Sequence, residues 1–486
     1  MRVAGSRHPS PLGAATASAA FPGWGQVRVG YRRTGSALIA GSLVFLAASA
    51  AAVAVDGALG MIRWLVDPEL MLTLLLLNLL VASVRICSMT HAWLLAGGRL
   101  ASVGLIVMLS LVAIPHVALG VYGLETRSTL LSVFPTEEPG TVAMAETTTS
   151  GELLTTTTQP TTTTTLLTTS SGKIRLLVPE LMLPTTTAAP TTTTTTLPLG
   201  TERFTLLLLG VDSGPGRSGA RTDTMIVASV NTLTGDASLF GLPRDMGGFT
   251  FSDGSTFPGL SRGLLNEVYQ WGWRNPDRFG GTDPGATAVS DVASTLLGIE
   301  IDYFVLVDMV GFAELVDVLG GVTVEVNREV LAPLYDRSNG SHTMITIPAG
   351  QQALGGDLAL AFARSRTGSN DYSRMARQRC LLTALGSQLE PLRIFGSFPT
   401  LLDTIRNRVT TDIPLSKIPY IVNLAPDLAA ERVIVVGFDR NYRSGLTSNG
   451  LPMPDVPRIQ ADVQQALAGQ APEGSGLSLA SGACSP

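Results

Sequence analysis

Three long apolar runs stand out in the first quarter of the chain. The run GSALIAGSLVFLAASAAAVAV ends at Val55, the run LMLTLLLLNLLVASV begins at Leu70, and a third extends from Ala101 to about Val121. A helix that crosses a bilayer needs about 20 apolar residues. Buried core helices do not explain the pattern, because the runs have almost no charged residues to face solvent. The sequence therefore predicts about three transmembrane helices within residues 35–122.

Arginines are concentrated beside some ends of these apolar runs and not beside others. Residues 1–34 contain five arginines and no acid, and Arg85 and Arg99 follow the second run, whereas the loop between the first two runs is acidic. Cytoplasmic segments of membrane proteins carry an excess of Lys and Arg. We therefore expect residues 1–34 to be cytoplasmic. Three crossings would place everything after residue 122 outside the cell, in a multi-pass protein of the cell membrane.

Two segments have a composition that does not favour a packed core. Residues 123–200 are dominated by threonine and proline, as in TTTTQPTTTTTLLTTS, and residues 446–486 are rich in Gly, Pro, Ser and Ala. Such tracts bury too little apolar surface to fold alone. We predict an extended extracellular linker for the first segment and a disordered tail for the second.

Residues 201–445 show the alternation of a folded α/β domain. Short, partly β-branched runs predict strands: FTLLLLG, TMIVASVN, ASLFGLP, DYFVLVDM, GVTVEV and RVIVVG. Longer amphipathic patterns predict helices: GATAVSDVASTLLG, GFAELVDVLGG, QALGGDLALAFARSR and DYSRMARQRCLLTALGSQL. Strands that alternate with helices indicate a sheet covered on both faces.

Composition excludes several classes of function. The formal net charge is −5, only 15% of residues are charged, and the folded region has no basic stripe with interleaved aromatic residues, so nucleic-acid binding is not expected. The four histidines and three cysteines are scattered along the chain without metal-ligand spacing. A zinc site or a histidine-based triad is therefore not expected either.

Charged residues instead follow the predicted strands, where α/β domains usually bind ligands. The first strand is followed by Asp212, Arg217, Arg221 and Asp223, and the third by Arg244 and Asp245. The guanidinium fork suits phosphate, and neighbouring carboxylates suit a hard cation such as Mg²⁺.

The stretch FARSRTGSNDYSRMARQ adds the densest cluster of cations. It contains Arg364, Arg366, Asp371, Arg374, Arg377 and Gln378. Asp371 or Ser373 can cap the helix that follows the TGSN loop. The arginines outnumber the nearby acids, so an anionic ligand explains the cluster better than salt bridges alone.

These residues carry a resemblance to the LytR-CpsA-Psr family of cell-wall glycopolymer ligases. The segments GVDSGPGRSGARTDTMIVASVN, GLPRDM, NEVYQWG and DYSRMARQR look like that family in order and spacing, and PGWGQVRVGYRRTG resembles its membrane-anchored members of the actinobacterial type. The resemblance implies an α/β/α sandwich with a central mixed sheet. It also implies transfer of a glycan from a polyprenyl-pyrophosphate carrier to peptidoglycan, assisted by Mg²⁺.

The resemblance also implies roles for single residues. It assigns Asp212 and Asp223 to the metal. The arginines Arg221, Arg244, Arg364, Arg366 and Arg374 would grip the pyrophosphate, with Gln378 beside them. Arg217 and Asp245, on the charged loops, are further candidates for binding the substrate. Arg377 would be structural or peripheral. Asp371 would either cap its helix or accept the acceptor's proton.

Two other functions use the same residues. A non-catalytic regulator that binds a lipid phosphate would keep the arginines but would not need the aspartate pair. A polyprenyl pyrophosphatase would use the same site with water as the acceptor, and no sequence motif separates it from a transferase.

Overall fold

The computed structural model describes residues 9–136, 203–212, 221–336, 341–368, 370–424 and 432–472. Arg217, most of the predicted linker and the end of the predicted tail lie outside these ranges.

The first part of the chain is helical. Its helices are α1 (Pro11–Ala20), α2 (Trp24–Arg28), α3 (Arg32–Val66), α4 (Pro68–Leu95) and α5 (Val103–Val133). Three of them contain stretches long and apolar enough to cross a membrane, as predicted: Arg32–Gly57, Pro68–Leu95 and Val103–Val133. Gly57 has a non-helical backbone and divides α3 into the span and a short second part. Helix α5 continues to Val133, so the beginning of the predicted linker is helical.

The predicted cytoplasmic segment is also folded. Helices α1 and α2 pack against α4, and the buried Gln26 side chain donates a 2.8 Å hydrogen bond to the carbonyl of Ser88. Ser18 donates to Gln26 in turn, at 2.8 Å. Buried polar groups need such partners, which explains why this small, polar sequence can pack between helices.

The remaining described residues form the α/β domain. Its strands are β1 (Arg203–Val211), β2 (Thr222–Asn231), β3 (Ala237–Gly241), β4 (Tyr303–Asp308), β5 (Val322–Val326), β6 (Val330–Tyr335), β7 (His342–Ile347), β8 (Gly350–Leu354), β9 (Val409–Thr411), β10 (Val433–Gly437), β11 (Arg443–Leu446) and β12 (Pro452–Pro454). Its helices are α6 (Val268–Arg274), α7 (Pro276–Phe279), α8 (Pro284–Leu297), α9 (Met309–Val318), α10 (Gly356–Arg364), α11 (Asp371–Ser387), α12 (Pro391–Gly396), α13 (Phe398–Arg408), α14 (Ile418–Leu424) and α15 (Val456–Leu467).

Six strands form the central mixed sheet, in the order β10-β3-β2-β1-β4-β9. Strand β1 is parallel to β4 and β10 is parallel to β3, and the other neighbours are antiparallel. Side chains of β1 alternate between the faces: Leu207 and Leu209 join the core with α8 and α15, and Leu208 packs on the other face with Leu382 of α11. The predicted α/β class with a sheet covered on both faces is confirmed.

Two predicted elements differ from the structure. The GVTVEV strand, β5, pairs with β8 in a separate two-stranded sheet rather than in the central one. The predicted helix QALGGDLALAFARSR begins only at Gly356, because the preceding residues form β8. Local apolar patterns indicate that a segment is extended but not which strand it pairs with.

The prediction of a disordered tail from residue 446 is wrong for residues 446–472. These residues form β12 and α15, and Ile459, Val463 and Ala466 of α15 are buried in the main core. Their spacing of four and three residues is that of one helix face. The abundance of Gly, Pro, Ser and Ala in the whole segment concealed this short amphipathic helix.

The domain contacts the ends of the membrane helices. Ile62 and Val66 of α3 and Leu130 of α5 share an apolar cluster with Phe398 and Leu402 of α13. The backbone N–H of Leu415 also donates a 2.8 Å hydrogen bond to the carbonyl of Pro135, just after α5.

Candidate active site

Asp212 and Asp223 lie at the end of the β1–β2 pair. The register of this pair shifts at Gly210 and Val211, which is a β-bulge beside the two aspartates. A Cβ atom on Gly210 would lie 2.9 Å from the Cβ of Thr224, so glycine allows the close approach of the two strands. Both aspartates line the same pocket.

Arg244 follows β3 and binds two carboxylates. Its Nη1 lies 2.6 Å from Oδ1 of Asp223, and its Nη2 lies 3.4 Å from Oδ1 of Asp371. Burial alone would lower the pKa of Arg244, but the two carboxylates outweigh it and raise the pKa. Burial alone would likewise raise the pKa of Asp223, but Arg244 outweighs it and the pKa is lowered. Both groups are therefore charged at neutral pH.

Asp371 joins this pair to the next arginine. Its Oδ2 lies 2.9 Å from Nη2 of Arg374, so the carboxylate lies between Arg244 and Arg374. The prediction that Asp371 or Ser373 caps α11 is wrong: Asn370 is the N-cap residue, and its side chain accepts from the N–H of Ser373 at 2.9 Å. Asp371 is thereby left to form ion pairs.

Arg364 is placed by the end of α10. Its Nη2 lies 3.6 Å from Oδ1 of Asp212, its Nη1 contacts the Sδ of Met309, and its Cζ lies 4.2 Å from the ring centroid of Tyr335. The following residue, Ser365, leaves the helix and donates a 2.6 Å hydrogen bond to the carbonyl of Leu331 in β6. The β6–β7 hairpin therefore fixes the turn that carries Arg364.

Arg377 is structural. It is fully buried, and its guanidinium donates to the carbonyls of Phe362 and Ser365 at the end of α10. The last carbonyls of a helix have no partner within the helix, and an arginine can satisfy them. Burial lowers the pKa of Arg377 to about 10, which still leaves it charged. The peripheral alternative is wrong, because this side chain joins α10 to α11.

Arg374 and Gln378 lie one helical turn apart on α11 and both line the pocket. Burial lowers the pKa of Arg374, although Asp371 opposes the shift. The amide of Gln378 donates a 3.4 Å hydrogen bond to the carbonyl of Ala363. The buried face of α11 therefore presents one cation and one amide to the pocket.

The pocket has a polar end and an apolar end. Its volume is about 570 Å³. At the polar end are Asp212, Asp223, Arg364, Arg366 and Arg374. At the apolar end, α9 contributes Phe312, Leu315 and Leu319, and α11 with the residues after it contributes Leu382, Leu385 and Leu389. Such a cavity can hold a molecule with an anionic group joined to a hydrocarbon chain.

The other predicted site residues lie around this pocket or outside it. Arg366 is exposed and lines the pocket. Arg221 is exposed, and its carbonyl accepts from the N–H of Asp212 at 3.0 Å. Asp245 is half-buried, and its charge helps to raise the pKa of Arg244. Arg244 itself belongs to the ion-pair network rather than to the pocket wall.

Three residues that the sequence did not indicate as site residues contact the site. Asn266 lies 3.4 Å from Oδ1 of Asp223, and the NEVYQWG segment of the family resemblance contains it. Met309 and Tyr335 contact Arg364. Met309 ends the predicted strand DYFVLVDM but received no role there, and no motif marks Tyr335, which comes from the hairpin.

The two aspartates fit the ligand preference of Mg²⁺. Asp223 uses Oδ1 for its contacts with both Arg244 and Asn266, and among the described residues its Oδ2 has no partner. No group of three or more His, Cys, Asp and Glu side chains forms a metal site within the described part of the chain. Oxygen atoms of a substrate or water would therefore have to complete the coordination, as is usual for Mg²⁺ with phosphates.

Comparison with known proteins identifies the family. The sequence model of the LytR_cpsA_psr family matches residues 184–465, which is more than half of the chain. The chain belongs to this family. The LytR-CpsA-Psr match extends into α15, as far as residue 465, in agreement with the place of this helix in the core.

Curated relatives match the same domain. A protein of Enterococcus faecalis named polyisoprenyl-teichoic acid–peptidoglycan teichoic acid transferase TagU is 31% identical over 217 residues, which cover 44% of this chain and 62% of that protein. TagU of Bacillus subtilis is 28% identical over 214 residues, covering 44% and 60%. The chain thus spans less than two thirds of the length of these curated relatives. The solved structure of TagT bound to LIIa-WTA matches with 20% identity and a TM-score of 0.39, covering 55% of this chain and 92% of that one.

Proposed function

We propose that this protein transfers a glycopolymer from a polyprenyl-pyrophosphate carrier to peptidoglycan. The observation that carries the proposal is the two-ended pocket, in which Arg364, Arg366 and Arg374 stand at one end and leucines of α9 and α11 at the other. A lipid diphosphate has the same two-ended chemistry. Family membership and the names of the curated relatives support this substrate class.

The arginines would act by neutralising charge. In the proposed reaction a hydroxyl of peptidoglycan attacks the phosphorus bonded to the sugar, the new P–O bond forms, and polyprenyl phosphate leaves with the electrons of the broken P–O bond. Phosphoryl transfer depends mainly on positioning and electrostatic stabilisation. Arg364, Arg366 and Arg374 can donate hydrogen bonds to the phosphate oxygens as they gain charge.

The three carboxylates of the site have different roles in the proposed reaction. Asp212 and Asp223 would hold Mg²⁺, which when bound would neutralise charge on the diphosphate. Asp371 would keep Arg244 and Arg374 in place, since both of its oxygens contact arginines. The proton of the attacking hydroxyl would pass to Asp371 or to water.

The proposal also includes the orientation of the domain relative to the membrane and the subtype of the family. The spans suggest membrane anchoring, and we propose that the pocket faces the outside of the cell, where peptidoglycan lies. Membership of the actinobacterial type remains a prediction.

Transfer is tested by incubating the full-length protein in vesicles with a synthetic polyprenyl-diphosphate glycan, Mg²⁺ and peptidoglycan fragments. Mass spectrometry should find the glycan joined to peptidoglycan. Arg364→Ala should cost on the order of 2–4 kcal/mol of transition-state stabilisation, or about 30- to 900-fold in rate, by analogy with loss of an oxyanion donor. Arg364→Lys should restore little, because lysine keeps the charge but loses the fork.

Arg274→Ala is the matched control, because Arg274 is an exposed arginine of α6. This variant should transfer the glycan at the wild-type rate. Wild-type transfer by Arg364→Ala would refute the assignment of the arginines. Release of free phosphorylated glycan without a joined product would indicate a pyrophosphatase. Binding of the carrier without turnover would indicate a regulator.

A further inference from the structure

The pocket runs along the central sheet in a defined direction. Helices α9 and α11 both begin at its polar end, at Met309 and Asp371, and both lead to its apolar end, where Leu319 and Leu389 line the wall. Strand β1 points the other way, since it ends beside Asp212 at the polar end. The apolar end therefore lies toward the start of β1.

The membrane helices reach the domain on that same side. Phe134, which follows α5, packs against the apolar cluster that contains Phe204 at the start of β1. On α12, Ile394 packs against the cluster formed by Ile62 and Val66 of α3. The second part of α3 also carries Trp64, and tryptophan is enriched at the membrane–water boundary. These contacts place the membrane surface near α12.

Large apolar side chains are exposed at the apolar end of the pocket. Leu389 before α12 lines the pocket and is 38% exposed, and Phe395 on α12 is 41% exposed. Phe395 follows Ile394, so this surface is continuous with the contact between α12 and α3. Contiguous exposed apolar residues mark a binding surface.

We propose that Leu389 and Phe395 contact the lipid surface and that the apolar end of the pocket opens at the bilayer. A hydrocarbon chain would then pass from the membrane into the pocket without crossing water, which avoids the cost of hydrating it. The proposed lipid contact is inferred from the geometry alone. The entry of an isoprenoid chain rests on the proposed function.

The lipid contact is tested by photo-crosslinking the full-length protein in phosphatidylglycerol–phosphatidylethanolamine vesicles. Phe395 is replaced by p-benzoylphenylalanine, which on irradiation inserts into nearby C–H bonds. The control is the same replacement at Trp273, a 52% exposed aromatic residue of α6. Trp273 lies beside Gly285 at the start of α8. Helix α8 ends just before the start of β4, which is parallel to β1, so the start of α8 lies toward the polar end of the pocket. Trp273 is therefore on the side of the sheet away from the apolar end.

Mass spectrometry should find lipid adducts at position 395 and at least tenfold fewer at position 273. Equal adducts at the two positions, or none at 395, would overturn the proposal. A cross-linked dimer through position 395 would overturn it as well, because a second copy of the chain would then cover the surface. This measurement does not depend on enzymatic activity.

Chain entry is tested with Phe395→Glu, since a carboxylate is poorly accommodated at a lipid surface. Transfer from a long-chain carrier held in vesicles should fall about tenfold, while transfer from a short-chain, water-soluble carrier should stay at the wild-type rate. Trp273→Glu should change neither rate, and thermal unfolding verifies that both variants fold. Equal losses with both carriers would refute entry from the membrane. If wild-type protein transfers neither carrier, the proposed function fails while the cross-linking result stands.

Discussion

Arg364 shows how a single side chain of the site is oriented. The Tyr335 ring lies 4.2 Å from its Cζ, and Met309 contacts its Nη1. Tyr335 itself stacks on His342, with ring centroids 5.4 Å apart. A guanidinium over an aromatic ring is stabilised by about 0.5–2 kcal/mol. The ring therefore restricts how Arg364 presents its hydrogen-bond donors to the pocket.

We predict that Tyr335→Leu weakens transfer more than Tyr335→Phe does. Loss of the ring should reduce kcat/KM by about 2- to 30-fold, from the stabilisation of a guanidinium over a ring, whereas phenylalanine keeps the ring. Steady-state transfer kinetics measure both variants. If Tyr335→Phe is as impaired as Tyr335→Leu, the hydroxyl and not the ring is responsible.

At the scale of elements, the turn beside Arg244 depends on a buried carboxylate. Glu267 accepts hydrogen bonds from the backbone N–H groups of Leu260, Ser261 and Gly263 at 2.9–3.2 Å. The next residue back, Asn266, donates its N–H to the carbonyl of Arg244 at 3.4 Å. Glu267 therefore holds residues 260–263 in a fixed loop next to the site.

Glu267 should make stability depend on pH. Burial alone would raise the pKa of Glu267, but hydrogen bonds from Ser261 and the backbone outweigh it and lower the pKa to about 2. Because the folded pKa is lowered, the carboxylate stabilises the fold above the unfolded pKa, which is about 4.3. This stabilisation is lost as pH falls from about 4.3 toward 2.

We predict that Glu267→Gln lowers the free energy of unfolding at pH 7 by about 1–3 kcal/mol. The difference from wild type should shrink as the pH approaches 3. Thermal unfolding of the full-length protein in detergent, followed by circular dichroism, measures it. Glu325→Gln, at an exposed position on β5, should leave the unfolding temperature unchanged. A difference that persists undiminished at pH 3 would contradict the assignment.

At the scale of the whole molecule, the ends of α3 and α5 and the start of α4 meet the domain on one side. Met71 of α4 joins the apolar cluster that Ile62, Leu130 and Phe398 share. Three consecutive spans place these ends on the same side of a membrane, opposite to the basic N-terminal segment. The domain therefore lies at the ends of the helices opposite to the N-terminal segment, and that this side is outside the cell remains a prediction.

We predict that a reporter which functions only outside the cytoplasm is active when fused after residue 200. The reason is the excess of arginine in residues 1–34 and around Arg85 and Arg99, which we expect to retain those segments in the cytoplasm. A fusion after Ala96, between α4 and α5, is the matched control and should be inactive. Activity of the second fusion and not of the first would contradict the extracellular transferase.

The sequence by itself determined the apolar helices, the class of the domain and most of the charged residues that meet at the pocket. The apolar runs and the alternation of strands and helices are local patterns, and the burial of apolar surface enforces them wherever the chain folds. The segments around Asp212, Arg244 and Arg364 also indicate the family.

Only the tertiary structure decided which charges pair and which face the pocket. Arg374 and Arg377 lie three residues apart on one helix, yet Arg374 lines the pocket and Arg377 binds the end of α10. Asp371 bridges two arginines because Asn370 takes the capping position. Tyr335 reaches the site through a hairpin that no motif marks. Ion pairs and burial depend on residues far apart in the chain, so their partners are set by packing and not by local pattern.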